Sequence, residues 1–208
     1  MNINPDYHNE KLTYTDDNLL LDSNGSAIMM GWEKNIMKHS AVEICKNGGD
    51  ILNVGFGLGF IDNYIQKYNT LIKTHWIIES HPDVQEKMIK EGWLKKENVK
   101  VIFKPWQEVI KYLPKFDGIY FDTWLESQKE FDINVKNLLK PKGIYSFFNN
   151  PNGGVINNIA KQSYDILKSS FDIIPIEIPI KNDSNQSLKH QYFDTNIKTY
   201  FIPKCQLK

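Results

Sequence analysis

The rhythm of apolar and polar positions changes several times along the chain, and the changes mark out elements. Residues 1–27 are polar and turn-rich, punctuated by residues 13–17 and by Asp22-Ser-Asn-Gly25. From 30 to 45 the apolar residues Met30, Ile36, Met37, Ala41, Val42 and Ile44 recur at helical spacing, which predicts an amphipathic helix ended by Asn47-Gly-Gly49. Short apolar runs then alternate with helical stretches. Strands are predicted at 51–54, 74–78, 99–103, 116–121 and 144–148. Between them, helices are predicted through Ile61, Tyr64 and Ile65, over 83–91, over 106–112, and up to Leu138-Leu139. Lys140-Pro-Lys-Gly143 reads as a sharp turn, and Gly153-Gly154 precedes a helix to about Lys168. Strands at 172–180 and 192–202, around a polar hairpin loop at 181–188, close the chain.

Alternating strands and helices imply a mainly parallel sheet covered on both faces, and a final strand pair without a helix between implies an antiparallel edge. The expected fold is therefore α/β: a seven-stranded, mainly parallel doubly wound sheet of the class I methyltransferase (Rossmann-like) kind. Its C-terminal strand pair would be antiparallel. A nucleotide-like ligand would sit outside the carboxyl ends of the first strands.

Composition adds limits. At 208 residues the chain can bury one domain's core. Lys plus Arg and Asp plus Glu are both 25, and no Arg occurs at all, so every fixed positive side chain is a lysine. No basic field recommends nucleic acid as a partner, and no patch recommends a membrane. Cys45 and Cys205 stand far apart and in no CxxC pattern, so reduced thiols are expected. The N-terminus has no apolar core of a signal peptide, and no apolar run is long enough to span a bilayer. A cytoplasmic protein is expected.

The chemistry gathers after the first strands. Gly55-x-Gly57-x-Gly59 lies between a predicted strand and a predicted helix, where a tight turn must let backbone approach a ligand. Glu79 ends the next strand, where a carboxylate can accept from both hydroxyls of a ribose. That acid suits NAD as well as S-adenosylmethionine. The third glycine comes one residue too early for GxGxxG, and the antiparallel ending is not that of the dinucleotide enzymes. His75 and His81 are isolated, and no metal site is expected.

Several ordered motifs together resemble one family. Ile51-Leu-Asn-Val-Gly-Phe-Gly-Leu-Gly59, His75-Trp-Ile-Ile-Glu-Ser-His-Pro82 and Phe116-Asp-Gly-Ile-Tyr-Phe-Asp-Thr123 look like guanidinoacetate methyltransferase and its relative, the fungal and plant arginine δ-N-methyltransferase. So do Met29-Met-Gly-Trp-Glu33 and Leu138-Leu-Lys-Pro-Lys-Gly143. Asn53-Val-Gly-Phe-Gly, Glu91-Gly-Trp93 and Ser146-Phe-Phe-Asn149 lean towards the arginine enzyme. The chain as given has no counterpart of the fungal form's N-terminal ankyrin-like region, which leaves room for a small guanidine such as free arginine beside an arginine-containing protein. Related enzymes make a homodimer an expectation.

The resemblance implies S-adenosyl-L-methionine as cofactor, with Phe56, Gly57, Leu58, Gly59, Phe60 and Ile61 along its methionine and ribose side. Glu79 would hold the ribose, with Ser80 and His81 nearby. Trp106 and Gln107 would border the adenine, and Met29 and Met37 would pack close by. Tyr7 stands where the guanidinoacetate enzyme has a cofactor-covering Trp, so residues 1–28 are expected to form a lid and 29–208 the methyltransferase domain. Asn53 departs from the guanidinoacetate enzyme, which has Glu there.

The acceptor is the harder half. A guanidinium has a pKa of roughly 12.5–13.8, so the site must bind a cation, orient one nitrogen and take a proton. Planar guanidinium pairs well with carboxylates. Asp122, after the fourth strand, and Glu33, after Trp32, are the candidates for substrate binding and catalysis, and the resemblance assigns both to the guanidine; Asp122 would also adjoin the cofactor. For Glu33, an acid in the first turn of a helix is also favoured by the macrodipole. Asn149 and Asn150 end the fifth strand, placed for substrate hydrogen bonds or, equally, for turn chemistry. Trp93 and Trp124 read more readily as core packing than as pocket walls.

Overall fold

A computed structural model describes residues 7–15, 18–68, 70–124, 128–150, 154–180 and 198–208. The predicted loop at 181–188, the first part of the strand predicted at 192–202, and residues 1–6 of the predicted lid lie outside the described residues.

The first elements depart from expectation. The polar, turn-rich N-terminal stretch contributes to an antiparallel three-stranded sheet of β1 (Thr13–Thr15), β2 (Leu19–Leu21) and β3 (Ala27–Met30). The turn between β2 and β3 is closed by Asp22, whose Oδ1 accepts from the backbone N–H groups of Asn24 and Ser26 at 2.9 and 2.8 Å. Met30 thus ends a strand rather than starting a helix. Gly31–Glu33 make a 3₁₀ turn, and α1 spans Lys34–Ile44. The helix cannot begin earlier because Glu33 Oε1 accepts the Met30 N–H at 2.7 Å, holding Met30 extended.

The rest follows the predicted alternation: β4 (Gly49–Val54), α2 (Phe60–Gln66), β5 (Ile72–Ile78), α3 (Pro82–Lys90), β6 (Val99–Ile102), α4 (Trp106–Val109), β7 (Phe116–Phe121) and α5 (Gln128–Leu138). Then come β8 (Leu139–Phe147), the two-residue strands β9 (Val155–Ile156) and β10 (Ile159–Ala160), α6 (Lys161–Leu167), β11 (Phe171–Pro179) and β12 (Thr199–Leu207). The turn expected at residues 140–143 is instead a bulge inside β8. Phe116 pairs with Leu139 and Gly118 with Ile144, and the extra residues bow out through Lys142 at φ 63°.

The main sheet has seven strands in the order β11-β12-β8-β7-β4-β5-β6. The pairs β4–β5, β5–β6, β4–β7 and β7–β8 are parallel, while β12 runs antiparallel to β8 and to β11. This is the Rossmann-like methyltransferase sheet with its antiparallel ending. Period-two alternation sorts the strands' side chains onto two cores. Ile51, Ile77, Tyr120 and Ile144 pack with α1, α2 and α3, while Leu52, Ile78, Ile119 and Tyr145 pack with α5 and α6. Strand order reverses at β4, so a crevice opens outside the carboxyl ends of β4 and β7.

Candidate active site

A cleft lies at that switch point. Its floor is the loop after β4. Gly55, at φ 93°, has no room for a side chain, because a Cβ there would sit 1.9 Å from the Asp122 carbonyl oxygen. The two strand ends are also tied across this point: Asp122 N–H donates to Val54 O at 3.0 Å, and Gly55 N–H to Ile78 O at 2.9 Å. The ligand floor and the acid at the end of β7 are thereby held in register.

Glu79, at the end of β5, is buried and its carboxylate is held at both oxygens. Oε2 accepts the Phe56 N–H at 2.8 Å and Oε1 the His81 N–H at 2.7 Å. His81 carries the contact outward. Its Nδ1 accepts the Asp83 N–H, which leaves a hydrogen on Nε2 to donate to Tyr7 O at 3.0 Å. The Tyr7 and His81 rings lie 4.7 Å apart, and burial lowers the His81 pKa. Asp83 fastens the same stretch of chain by accepting from Leu12 N–H and Lys11 Nζ. Tyr7 thus stands at the cleft, pinned from below.

Asp122 differs. It is half-buried at the cleft wall, and its carboxyl makes no hydrogen bond or ion pair among the described residues. Burial without a partner pushes its pKa up to about 7. Glu33 is buried and capped onto Met30. Both acids act on the same two buried tyrosines: burial, then the Asp122 charge, raises Tyr120, and Tyr200 is raised by burial and by Asp122 and Glu33. Glu33 does not itself line the cleft; what links it to Asp122 is that the charges of both acids act on Tyr120 of β7 and Tyr200 of β12.

The family model described as guanidinoacetate N-methyltransferase matches residues 1–202. The chain belongs to that family. Curated relatives named protein arginine N-methyltransferase 2 are 39% identical in Yarrowia lipolytica, 35% in Saccharomyces cerevisiae and 33% in Aspergillus oryzae, over 81%, 91% and 98% of this chain. The chain spans 37%, 48% and 52% of those relatives' own lengths. Among solved structures, spermidine synthase from Thermotoga maritima superposes with a TM-score of 0.65 at 13% identity, covering 95% of this chain and 68% of that one. TYW2 from M. jannaschii in complex with AdoMet superposes with a TM-score of 0.60 at 15% identity, covering 96% and 86%. At those identities the likeness is one of fold.

Among the family's expected site residues, Tyr7, Met29, Phe56, Gly57, Ile61, Glu79, Ser80, Trp106 and Asp122 line the cleft. Others lie elsewhere. Leu58 and Phe60 face a separate groove beside Tyr14 and Lys87, because positive-φ glycines at every second position turn the loop so that its side chains diverge. Met37 is fully buried in the core beneath. Gly59 lies under the Phe56 ring, and His81 acts through backbone contacts behind Glu79. Gln107 and Asn150 are exposed and do not line the cleft. Asn149 spends its side chain on structure: Nδ2 donates to Asn158 O and Phe201 O, and Oδ1 accepts the Ala160 N–H. Trp124, expected in the core, lines the cleft instead, as do Lys104 and Thr123, which sequence reasoning passed over.

Proposed function

We propose that this chain is an S-adenosyl-L-methionine-dependent N-methyltransferase acting on a guanidino nitrogen of arginine, free or in a protein, of the δ-N type. The observation that carries the reading is the pairing in one cleft of Glu79, held ready at both oxygens, with Asp122, half-buried and bare. Family membership and the arginine N-methyltransferase 2 relatives support it.

The cleft suits such a cofactor. Trp106 Nε1, Thr123 Oγ1 and Trp124 Nε1 are buried atoms of cleft residues that find no protein partner among the described residues, so donors await a polar ligand. Glu79 would take the ribose hydroxyls, Trp106 would border the adenine, and Gly57 would let the backbone close on the ligand. Tyr7 would cover it as part of a lid formed by residues 1–28, over a domain of residues 29–208. Bound there, the cofactor supplies a methyl group on a sulfonium.

The chain's own residues would do the rest. Asp122 and Glu33 hold the guanidinium through parallel N–H···O bonds and aim one nitrogen along the displacement line. Asp122 accepts the proton that nitrogen sheds; a carboxylate near pKa 7 is a better base than an ordinary one. Alignment alone can lower the barrier by on the order of 7–11 kcal/mol, so moderate base strength suffices. Cys45 and Cys205 are free and buried, which fits a cytoplasmic setting. Among the described residues no helix is long and apolar enough to cross a membrane.

Incubation with labelled cofactor and, in turn, arginine, guanidinoacetate and arginine-containing peptides tests the reading, with mass spectrometry locating the methyl group. Label on an arginine guanidine is expected. Label on guanidinoacetate alone would move the substrate, and label on no guanidine would overturn the reading.

A further inference from the structure

Behind the glycine loop lies a buried polar chain that the chemistry above does not use. Asn53 of β4, Asp62 of α2 and His75 of β5 are all 0% exposed. Asn53 Nδ2 is surrounded by three acceptors: Gly55 O at 2.8 Å and both Asp62 carboxylate oxygens at 3.0 Å. Such a setting requires an amide nitrogen; a carboxylate at this position would face Asp62 with like charge. Asp62 Oδ1 also lies 3.0 Å from His75 Nε2, which must therefore carry the hydrogen, and His75 Nδ1 accepts from Gln66 Nε2 at 2.9 Å. Apolar side chains would fill this volume without burying a carboxylate, so the network's function lies in what it holds.

What it holds is one peptide plane. The oxygen gripped by Asn53 belongs to Gly55, and the N–H on the other side of the same peptide belongs to Phe56. All described peptides are trans, so this C=O and N–H point in opposite directions. The Phe56 N–H is the donor to Glu79 Oε2. The bonds form one line: Gln66, His75, Asp62, Asn53, the Gly55–Phe56 peptide, Glu79. A glycine at φ 93° does not by itself select this peptide orientation, since glycine populates several wells.

We propose that Asn53, Asp62 and His75 are positioning residues for adenosine binding: they lock the Gly55–Phe56 peptide so that its N–H orients Glu79 towards the ribose. The proposal rests on the cofactor reading above. Loss of Asn53 frees the peptide to rotate and loosens the hold on Glu79 Oε2 while the His81 N–H still holds Oε1, so its effect on binding passes through Glu79.

S-adenosylhomocysteine binding, measured by calorimetry without turnover, tests this in a cycle of wild type, Asn53→Ala, Glu79→Gln and the double variant. Removing a buried charge-assisted arrangement predicts binding weakened about tenfold in Asn53→Ala. In the double variant binding should be at most about twofold weaker than in Glu79→Gln alone, while the losses in melting temperature add. A merely structural role would leave the binding effects multiplicative. Folded Asn53→Ala that binds as tightly as wild type, or a double variant weakened by the product of the singles, overturns the proposal. If Asn53→Ala does not fold, Gln66→Ala at the half-buried end of the chain replaces it, with about threefold weakening expected and unchanged binding as the contrary result. Wild type that does not bind S-adenosylhomocysteine overturns the cofactor reading and this proposal together.

Discussion

The ends of β5 and β7 each present a carboxylate to the same cleft, yet the fold treats them in opposite ways. Glu79 accepts a backbone N–H at each oxygen and has a buried network behind the peptide that supplies one of them. Asp122 has only its backbone tied down, and its carboxyl is left to desolvation. A carboxylate held by donors is ionised and rigid, which suits recognition of neutral hydroxyls. One buried without donors is poised between charge states, which suits a cation that brings its own donors and gives up a proton. On the proposed function, binding and chemistry are thus divided between two strand ends.

Exchanging the acids' properties is the way to break that division. The largest effect is expected from Asp122→Asn, which keeps shape and removes the base: turnover of the guanidine should fall by ~10²–10⁴-fold in a methyl-transfer assay. Next is Glu79→Gln, which turns one oxygen into an NH₂ facing a backbone N–H. S-adenosylhomocysteine affinity should weaken by about 10–100-fold in calorimetry, given the strength of hydrogen bonds to charged groups.

The pH dependence sharpens the contrast further. Asp122 must be ionised to act, so kcat/KM for the acceptor should rise with pH and level off above about 7, a limb that Asp122→Asn abolishes. Stability runs the other way. The folded carboxyl keeps its proton up to about 7 whereas an unfolded one loses it near 4, so Asp122 costs stability increasingly as pH rises through that window. Asp122→Asn should therefore be more stable than wild type at pH 8, by on the order of 2 kcal/mol, with the difference closing towards pH 4. No gain at pH 8 would mean the carboxyl is solvated after all.

Much of this was legible in the chain because it is local. A glycine run after an apolar strand, an acid ending the next strand, and Asp122 directly after 116–121 are each fixed by a few neighbouring residues. The N-terminal sheet is not legible in the chain although Leu19–Leu21 and Ala27–Met30 flank the turn-forming Asp22–Gly25, because strands this short carry little periodicity. That Leu58 and Phe60 line a separate groove is not legible for another reason: left-handed glycines break any regular spacing, so side-chain direction there cannot be counted off. Tyr200, Trp124 and the Asn53–Asp62–His75 chain depend on which distant strands meet. Tyr120 alone left a local sign, standing two residues before Asp122 near the end of β7.

The division of labour is tested most directly by titrating S-adenosylhomocysteine into Asp122→Asn beside wild type. The account predicts dissociation constants within about threefold of each other, since Asp122 serves the acceptor and Glu79 the cofactor. Loss of binding in Asp122→Asn comparable to that in Glu79→Gln would contradict it.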